Sequence, residues 1–93
     1  MNYKVVSTSS FKKTLKLMRK RGKKLEKLKY VVDTLACGKE LEPRYRDHQL
    51  IDNSRFKDCR ECHIEPDWLL VYRFNNKELI LVLVETGTHS DLF

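Results

Sequence analysis

Leu79-Ile80-Leu81-Val82-Leu83-Val84 is the longest apolar run in the chain, six residues with no polar interruption. Successive strand residues point to opposite faces, so a half-buried strand alternates apolar and polar side chains. A run without alternation asks to be covered on both sides. It is far short of the ~20 residues that cross a bilayer as a helix. It therefore predicts a strand buried on both faces, and the rest of the chain must supply the cover. Ninety-three residues support one small core, because a chain this short buries only about 60–65% of its unfolded surface. A single domain over residues 1–93 is expected.

The cover is legible upstream. Tyr3 to Val6 reads as a short strand. Ser7-Thr8-Ser9-Ser10 then offers hydroxyls for a helix N-terminus. Phe11, Leu15 and Met18 follow at the spacing of one helical face, and Gly22 supplies the stop. A second helix starts near Lys23, with Leu25, Leu28, Val32 and Leu35 in one stripe and Val31 beside it, and Gly38 ends it. Residues 39–57 carry Pro43, Asp52-Asn53-Ser54 and little periodicity, and predict a long loop of the kind that is often functional.

From Lys57 the pattern becomes strand-like. Lys57 to Ile64 is broken by Glu65-Pro66-Asp67, since proline cannot sit in a central strand. Trp68 to Phe74 places Trp68, Leu70, Tyr72 and Phe74 on one face; Asn75-Asn76 makes a hairpin turn, and Glu78 to Glu85 returns. Thr86-Gly87-Thr88-His89 is a turn and Ser90 to Phe93 a tail. The order is β-α-α-β-β-β, an α+β fold with a helical hairpin on a small, mainly antiparallel sheet.

Charge is uneven. The chain carries +6 overall, yet residues 1–30 hold eleven Lys or Arg against the single acid Glu26, and the remainder is net negative. One end is a polycation, whose natural partners are phosphate backbones, anionic membrane surfaces or acidic proteins. No secretory leader is apparent in Met1-Asn2-Tyr3-Lys4-Val5-Val6, and a cytoplasmic chain with reduced thiols is expected.

Cys59-Arg60-Glu61-Cys62-His63 spells the C-x-x-C-H of c-type haem attachment. The context argues against it: there is no export signal, and residues three apart in a strand face opposite ways. The same divergence weakens a zinc site, which would also need a second ligand pair. Ordinary semi-buried thiols are the expectation for Cys37, Cys59 and Cys62.

His48, His63 and His89 each lie beside a break in structure, with Asp67 and Trp68 close to His63 in sequence. A lone histidine is usually structural. Three at element edges beside a polycationic half suggest RNA cleavage without metal. No H-x-H or H-x-x-x-H pair fixes ligand geometry for a zinc triad. Imidazole, with an ordinary pKa near ~6.5, serves as base or acid at cellular pH. One would take the proton of a ribose 2′-OH, and another would protonate the departing 5′ oxygen. Trp68 or Phe93 would stack on a splayed base, with core packing the other reading of Trp68.

Three blocks carry a resemblance: Tyr45-Arg46-Asp47-His48-Gln49-Leu50; Cys62-His63-Ile64-Glu65-Pro66-Asp67-Trp68-Leu69-Leu70-Val71-Tyr72; and Thr86-Gly87-Thr88-His89-Ser90-Asp91-Leu92-Phe93. Together they resemble the signature of the YafQ branch of RelE/ParE-type bacterial toxins. The resemblance implies a RelE-like microbial ribonuclease fold and a ribosome-dependent mRNA endonuclease that cuts the codon in the A site, by 16S ribosomal RNA, and stops translation. It implies a co-encoded antitoxin, and the basic half asks that this partner be acidic; the chain is expected as a monomer alone or a hetero-oligomer with the antitoxin, with no cofactor or metal. It carries general base onto His48, general acid onto His89, phosphate holding onto His63 and Asp67, and the aromatic wall onto Trp68 and Phe93. Some relatives place Arg just before T-G-T-H, where this chain has Glu85; either Arg46, Arg60 or Arg73 stands in at the phosphate, or His63 and lysines carry the load, or cleavage is slower. Two rivals follow: a ParE-like gyrase poison, and a weakly active toxin that acts mainly through its antitoxin and operon repression.

Overall fold

The computed structural model describes residues 2–93. Strand β1 (Lys4–Ser7) leads into helices α1 (Ser9–Lys20) and α2 (Leu25–Ala36); a 3-10 turn (Pro43–Tyr45) precedes β2 (His48–Gln49), β3 (Arg60–Glu65), β4 (Trp68–Asn75), β5 (Ile80–Gly87) and the short helix α3 (His89–Leu92). The sheet order is β1-β5-β4-β3-β2. Only β1 against β5 is parallel; the other pairs are antiparallel. The predicted α+β arrangement of a helical hairpin on a mainly antiparallel sheet is what the chain forms. It gains three elements: the 3-10 turn and a two-residue strand inside the segment read as loop, and a helix in the segment read as turn and tail.

The local signals act as the sequence suggests. The Thr8 hydroxyl accepts the Phe11 N–H at 2.9 Å, capping α1, and donates to the Val84 carbonyl at 2.7 Å, pinning the helix start to β5. Gly22, at φ 84°, turns the chain out of α1. Phe11, Met18, Leu28, Val31 and Leu35 from the helices pack onto Cys62, Ile64, Trp68, Leu70, Tyr72, Leu81 and Leu83 from the sheet.

The other sheet face is closed by the segment leading to β3 and by α3: Phe56, Cys59 and Leu92 pack on Leu69 and Val71. The doubly covered strand is therefore β4, not the apolar run in β5. Trp68, Leu69, Leu70, Val71 and Tyr72 are all fully buried, whereas β5 alternates buried with half-buried residues and Leu79 lies outside the strand at φ 55°. Position in the sheet decides this, because β4 is its middle strand. Among the described residues no helix is long and apolar enough to cross a membrane.

Candidate active site

His48 stands on β2, paired in register with Glu61 of β3. Two residues on, His63 shares Glu61's face of β3, because side chains alternate along a strand. His89 opens α3 just past the end of β5. The ring centroids of His48 and His63 are 6.4 Å apart, and those of His63 and His89 5.6 Å. Three segments distant in sequence thus bring their imidazoles together at one end of the sheet. The sheet order sets β2 on one side of β3 and β4–β5 on the other, so His48 and His89 approach His63 from opposite sides.

Backbone carbonyls and carboxylates fix each ring. His48 Nδ1 lies 2.7 Å from the Arg46 carbonyl and His63 Nδ1 lies 3.2 Å from the Pro66 carbonyl. A carbonyl only accepts, so Nδ1 carries the proton in both rings and Nε2 is the nitrogen turned inward. Those inward nitrogens face one carboxylate: Glu61 Oε1 is 3.7 Å from His48 Nε2 and 3.4 Å from His63 Nε2. Glu61 is only 5% exposed. His89 is held by Asp67, whose Oδ1 takes the ring Nδ1–H at 2.6 Å and the backbone N–H at 3.0 Å. These hydrogen bonds hold the Asp67 carboxyl below the usual carboxylate range, the backbone N–H of His89 most of all and then its ring.

The T-G-T-H turn owes its shape to Asp91. A Cβ added at Gly87 would lie 2.9 Å from Asp91 Cβ, so nothing larger fits without a shift. Thr88 and Asp91 form a reciprocal cap, the hydroxyl accepting the Asp91 N–H at 3.2 Å and the carboxylate accepting the Thr88 N–H at 2.9 Å. Arg21, at the end of α1, grips the same carboxylate at 2.7 Å. Arg21 foremost, then the Thr88 N–H, lowers Asp91 to about 2.

Of the other expected site residues, Trp68 and Arg60 lie away from the histidines, and Asp67, Phe93 and Arg46 lie beside them. Trp68 is in the core with no exposed surface, its indole N–H donating to the Thr86 hydroxyl at 2.9 Å, and it offers no ring face to a base. Arg60 projects from the opposite face of β3 to Glu61 and donates to Asp47 at 3.2 Å, a carboxylate that also accepts the Tyr72 hydroxyl. Asp67 is engaged with His89 rather than free to meet a phosphate. Phe93 is 56% exposed and edges onto Phe56 with centroids 5.8 Å apart, so one ring face is open at the end of α3. Arg46 is exposed and contributes its carbonyl to His48.

Glu85 does not point its charge at the histidines. It is 3% exposed and accepts the Ser10 and Thr14 hydroxyls of α1, each at 2.5 Å, with Arg55 at 3.6 Å. The guanidinium that reaches it, Arg55, comes from the 39–57 segment. The residue that sequence reasoning missed is Glu61. The signal was present: E-x-H within a strand puts both side chains on one face.

Cys59 and Cys62 diverge as expected, one packing on the α3 side of the sheet and the other on the helix side. A different group has ligand chemistry: Glu61, His63 and His89 each offer an atom within 4.8 Å of the others. A carboxylate and two imidazoles suit a divalent transition-metal ion.

The chain matches, over residues 3–93, the family described as bacterial toxin of type II toxin–antitoxin system, YafQ. It is 40% identical over 87 residues to the mRNA interferase toxin YafQ of Escherichia coli strain B / BL21-DE3, covering 92% of this chain and 90% of that protein. Its fold superposes on the crystal structure of a metal-bound toxin from Helicobacter pylori with a TM-score of 0.91 and 43% identity, covering all of both chains. It also superposes on YafQ in the E. coli DinJ–YafQ toxin–antitoxin complex with a TM-score of 0.87 and 35% identity, over 100% of this chain and 99% of that one.

Proposed function

Because this chain belongs to the YafQ family of bacterial type II toxin–antitoxin toxins, we propose that it is an mRNA endoribonuclease that cleaves codons in the ribosomal A site by metal-independent acid–base transesterification, and so stops translation. The mRNA interferase relatives in E. coli support the activity. The convergence of His48, His63 and His89 carries the mechanism.

In-line displacement at phosphorus puts the attacking and leaving oxygens on opposite sides, so base and acid must flank the phosphate. His48 and His89 approach His63 from opposite sides. His48 Nε2 takes the 2′-OH proton, and the resulting imidazolium faces Glu61. The 2′ oxygen attacks the adjacent phosphorus. His89, protonated on both nitrogens with Asp67 against Nδ1, gives its Nε2 proton to the departing 5′ oxygen. The products are a 2′,3′-cyclic phosphate and a free 5′-OH. His63, doubly protonated with Nδ1 on the Pro66 carbonyl and Glu61 close by, donates from Nε2 to a non-bridging phosphate oxygen, where charge accumulates. Phe93 supplies an open ring face for a neighbouring base, and Arg46 a cation for the backbone.

The exposed cations Lys12, Lys13, Lys16, Arg19 and Lys20 along α1 suit docking on ribosomal RNA in the cytoplasm. The same charge suits an acidic antitoxin that holds the toxin in a hetero-oligomer, as the DinJ–YafQ complex of the relative suggests. The test is cleavage of mRNA on programmed ribosomes. Codon-aligned breaks are expected, with His48→Ala and His89→Ala each slowing cleavage by about 10²–10⁴-fold. Undiminished cleavage in both variants overturns the mechanism, and intact mRNA alongside gyrase-linked DNA breaks overturns the activity.

A further inference from the structure

Next to the histidines lies a second feature that the acid–base chemistry does not use. A cavity of about 620 Å³ opens between α2, the 3-10 turn and the end of β3, with Tyr30, Arg44, Tyr45, Arg46 and His63 among its walls. Its size lies within the ~300–1,000 Å³ of small-ligand sites. His63 is common to both places, so a chain seated at the phosphate position can continue into the cavity.

The walls are planar and braced. The Tyr30 ring is half exposed and lies 6.2 Å from the Tyr45 ring, tilted 31° from it. The Arg44 guanidinium lies over the Tyr45 ring at 4.8 Å and donates to its hydroxyl at 2.9 Å. Glu42 accepts the Tyr30 hydroxyl at 2.8 Å and lies 3.5 Å from Arg44, so both groups are held in place before anything binds. Arg46 stands on the rim in a left-handed turn, φ 49°, and has no ion-pair partner among the described residues. Its carbonyl is the atom that fixes His48, which ties the cavity rim to the base.

Aromatic rings and guanidinium planes are what unstacked RNA bases bind, and an unpaired arginine beside them suits the phosphate that follows. We propose that this cavity is an RNA subsite for the nucleotide adjoining the scissile phosphate, with its base stacked on Tyr30 beside Arg44 and its phosphate paired with Arg46. The assignment rests on the ribonuclease reading and deepens it: the subsite makes cleavage depend on a base that is not itself cut.

The experiment pairs a protein change with an RNA change. Programmed ribosomes carry mRNA in which each nucleotide flanking the cut is replaced in turn by an abasic residue, and wild type, Tyr30→Ala and Tyr30→Phe are compared. Stacking of one base corresponds to roughly 5- to 160-fold. Tyr30→Ala is expected to slow cleavage by that factor, and one abasic position should slow wild type equally but Tyr30→Ala no further. Tyr30→Phe, which keeps the ring, should stay near wild type. Wild-type rates for Tyr30→Ala, or abasic losses that multiply with it at every position, overturn the subsite while His89→Ala still slows cleavage. Loss of antitoxin binding in Tyr30→Ala with unchanged cleavage also overturns it, and assigns the cavity to a protein partner. A wild-type chain that leaves mRNA intact overturns the nuclease reading and the subsite together.

Discussion

One oxygen of Asp67 accepts two hydrogen bonds from His89, from the ring at 2.6 Å and from the backbone at 3.0 Å. It fixes the ring's orientation and its tautomer at once. Asp67→Asn is expected to slow cleavage at least about tenfold, because an amide stabilises an imidazolium poorly. His89 donates both hydrogens to the Asp67 carboxylate, whose pKa they depress. The pair's contribution to folding is therefore full above the ordinary Asp value, about pH 4, and fades as pH falls through the lower folded value. Near-wild-type cleavage in a folded Asp67→Asn would remove this role; single-turnover rates and circular dichroism decide it.

Metal should inhibit. An ion held by Glu61, His63 and His89 would occupy the imidazoles that acid–base cleavage needs. Added Zn²⁺ or Cu²⁺ is expected to suppress cleavage, and a chelator to restore it. Glu61→Gln should weaken the inhibition along with the basal rate. Acceleration by either ion would instead support metal-assisted hydrolysis.

The thiols separate by burial. Cys37 is exposed, while Cys59 and Cys62 are buried. Burial above all pushes both buried thiols up, Cys62 the more strongly, so neither forms a reactive thiolate. A thiol reagent should label Cys37 alone in the native chain and all three cysteines in denaturant, and reductant should leave cleavage unchanged. Rapid native labelling of Cys62 would contradict the packing.

Acid stability carries a signature of Asp91. Its folded value of about 2 lies below the ordinary 3.8, so its contribution is complete above about pH 4 and is lost as pH falls toward 2. Asp91→Asn removes half of the α3 cap and the Arg21 pair, a change on the order of 1 kcal/mol at pH 7. Thermal melts should show the mutant well below wild type at pH 7, with the gap closing toward pH 2. A gap independent of pH would assign the loss to packing.

The chain's periodicities were enough for the helical hairpin, for strands β1, β3, β4 and β5 and for the turns at Gly22 and Pro66. These are decided locally, by side-chain spacing and by residues with few backbone options. The three histidines stood out as candidates too, through their place at element edges, and their rings lie close together. Tertiary structure decided the rest, because register and layer order are properties of pairs of segments. Pairing His48 with Glu61 turned an unremarked acid into the partner of two imidazoles. The central place of β4 took Trp68 out of the site and into the core. The closeness of α1 to β5 turned Glu85 inward to two hydroxyls rather than toward a phosphate.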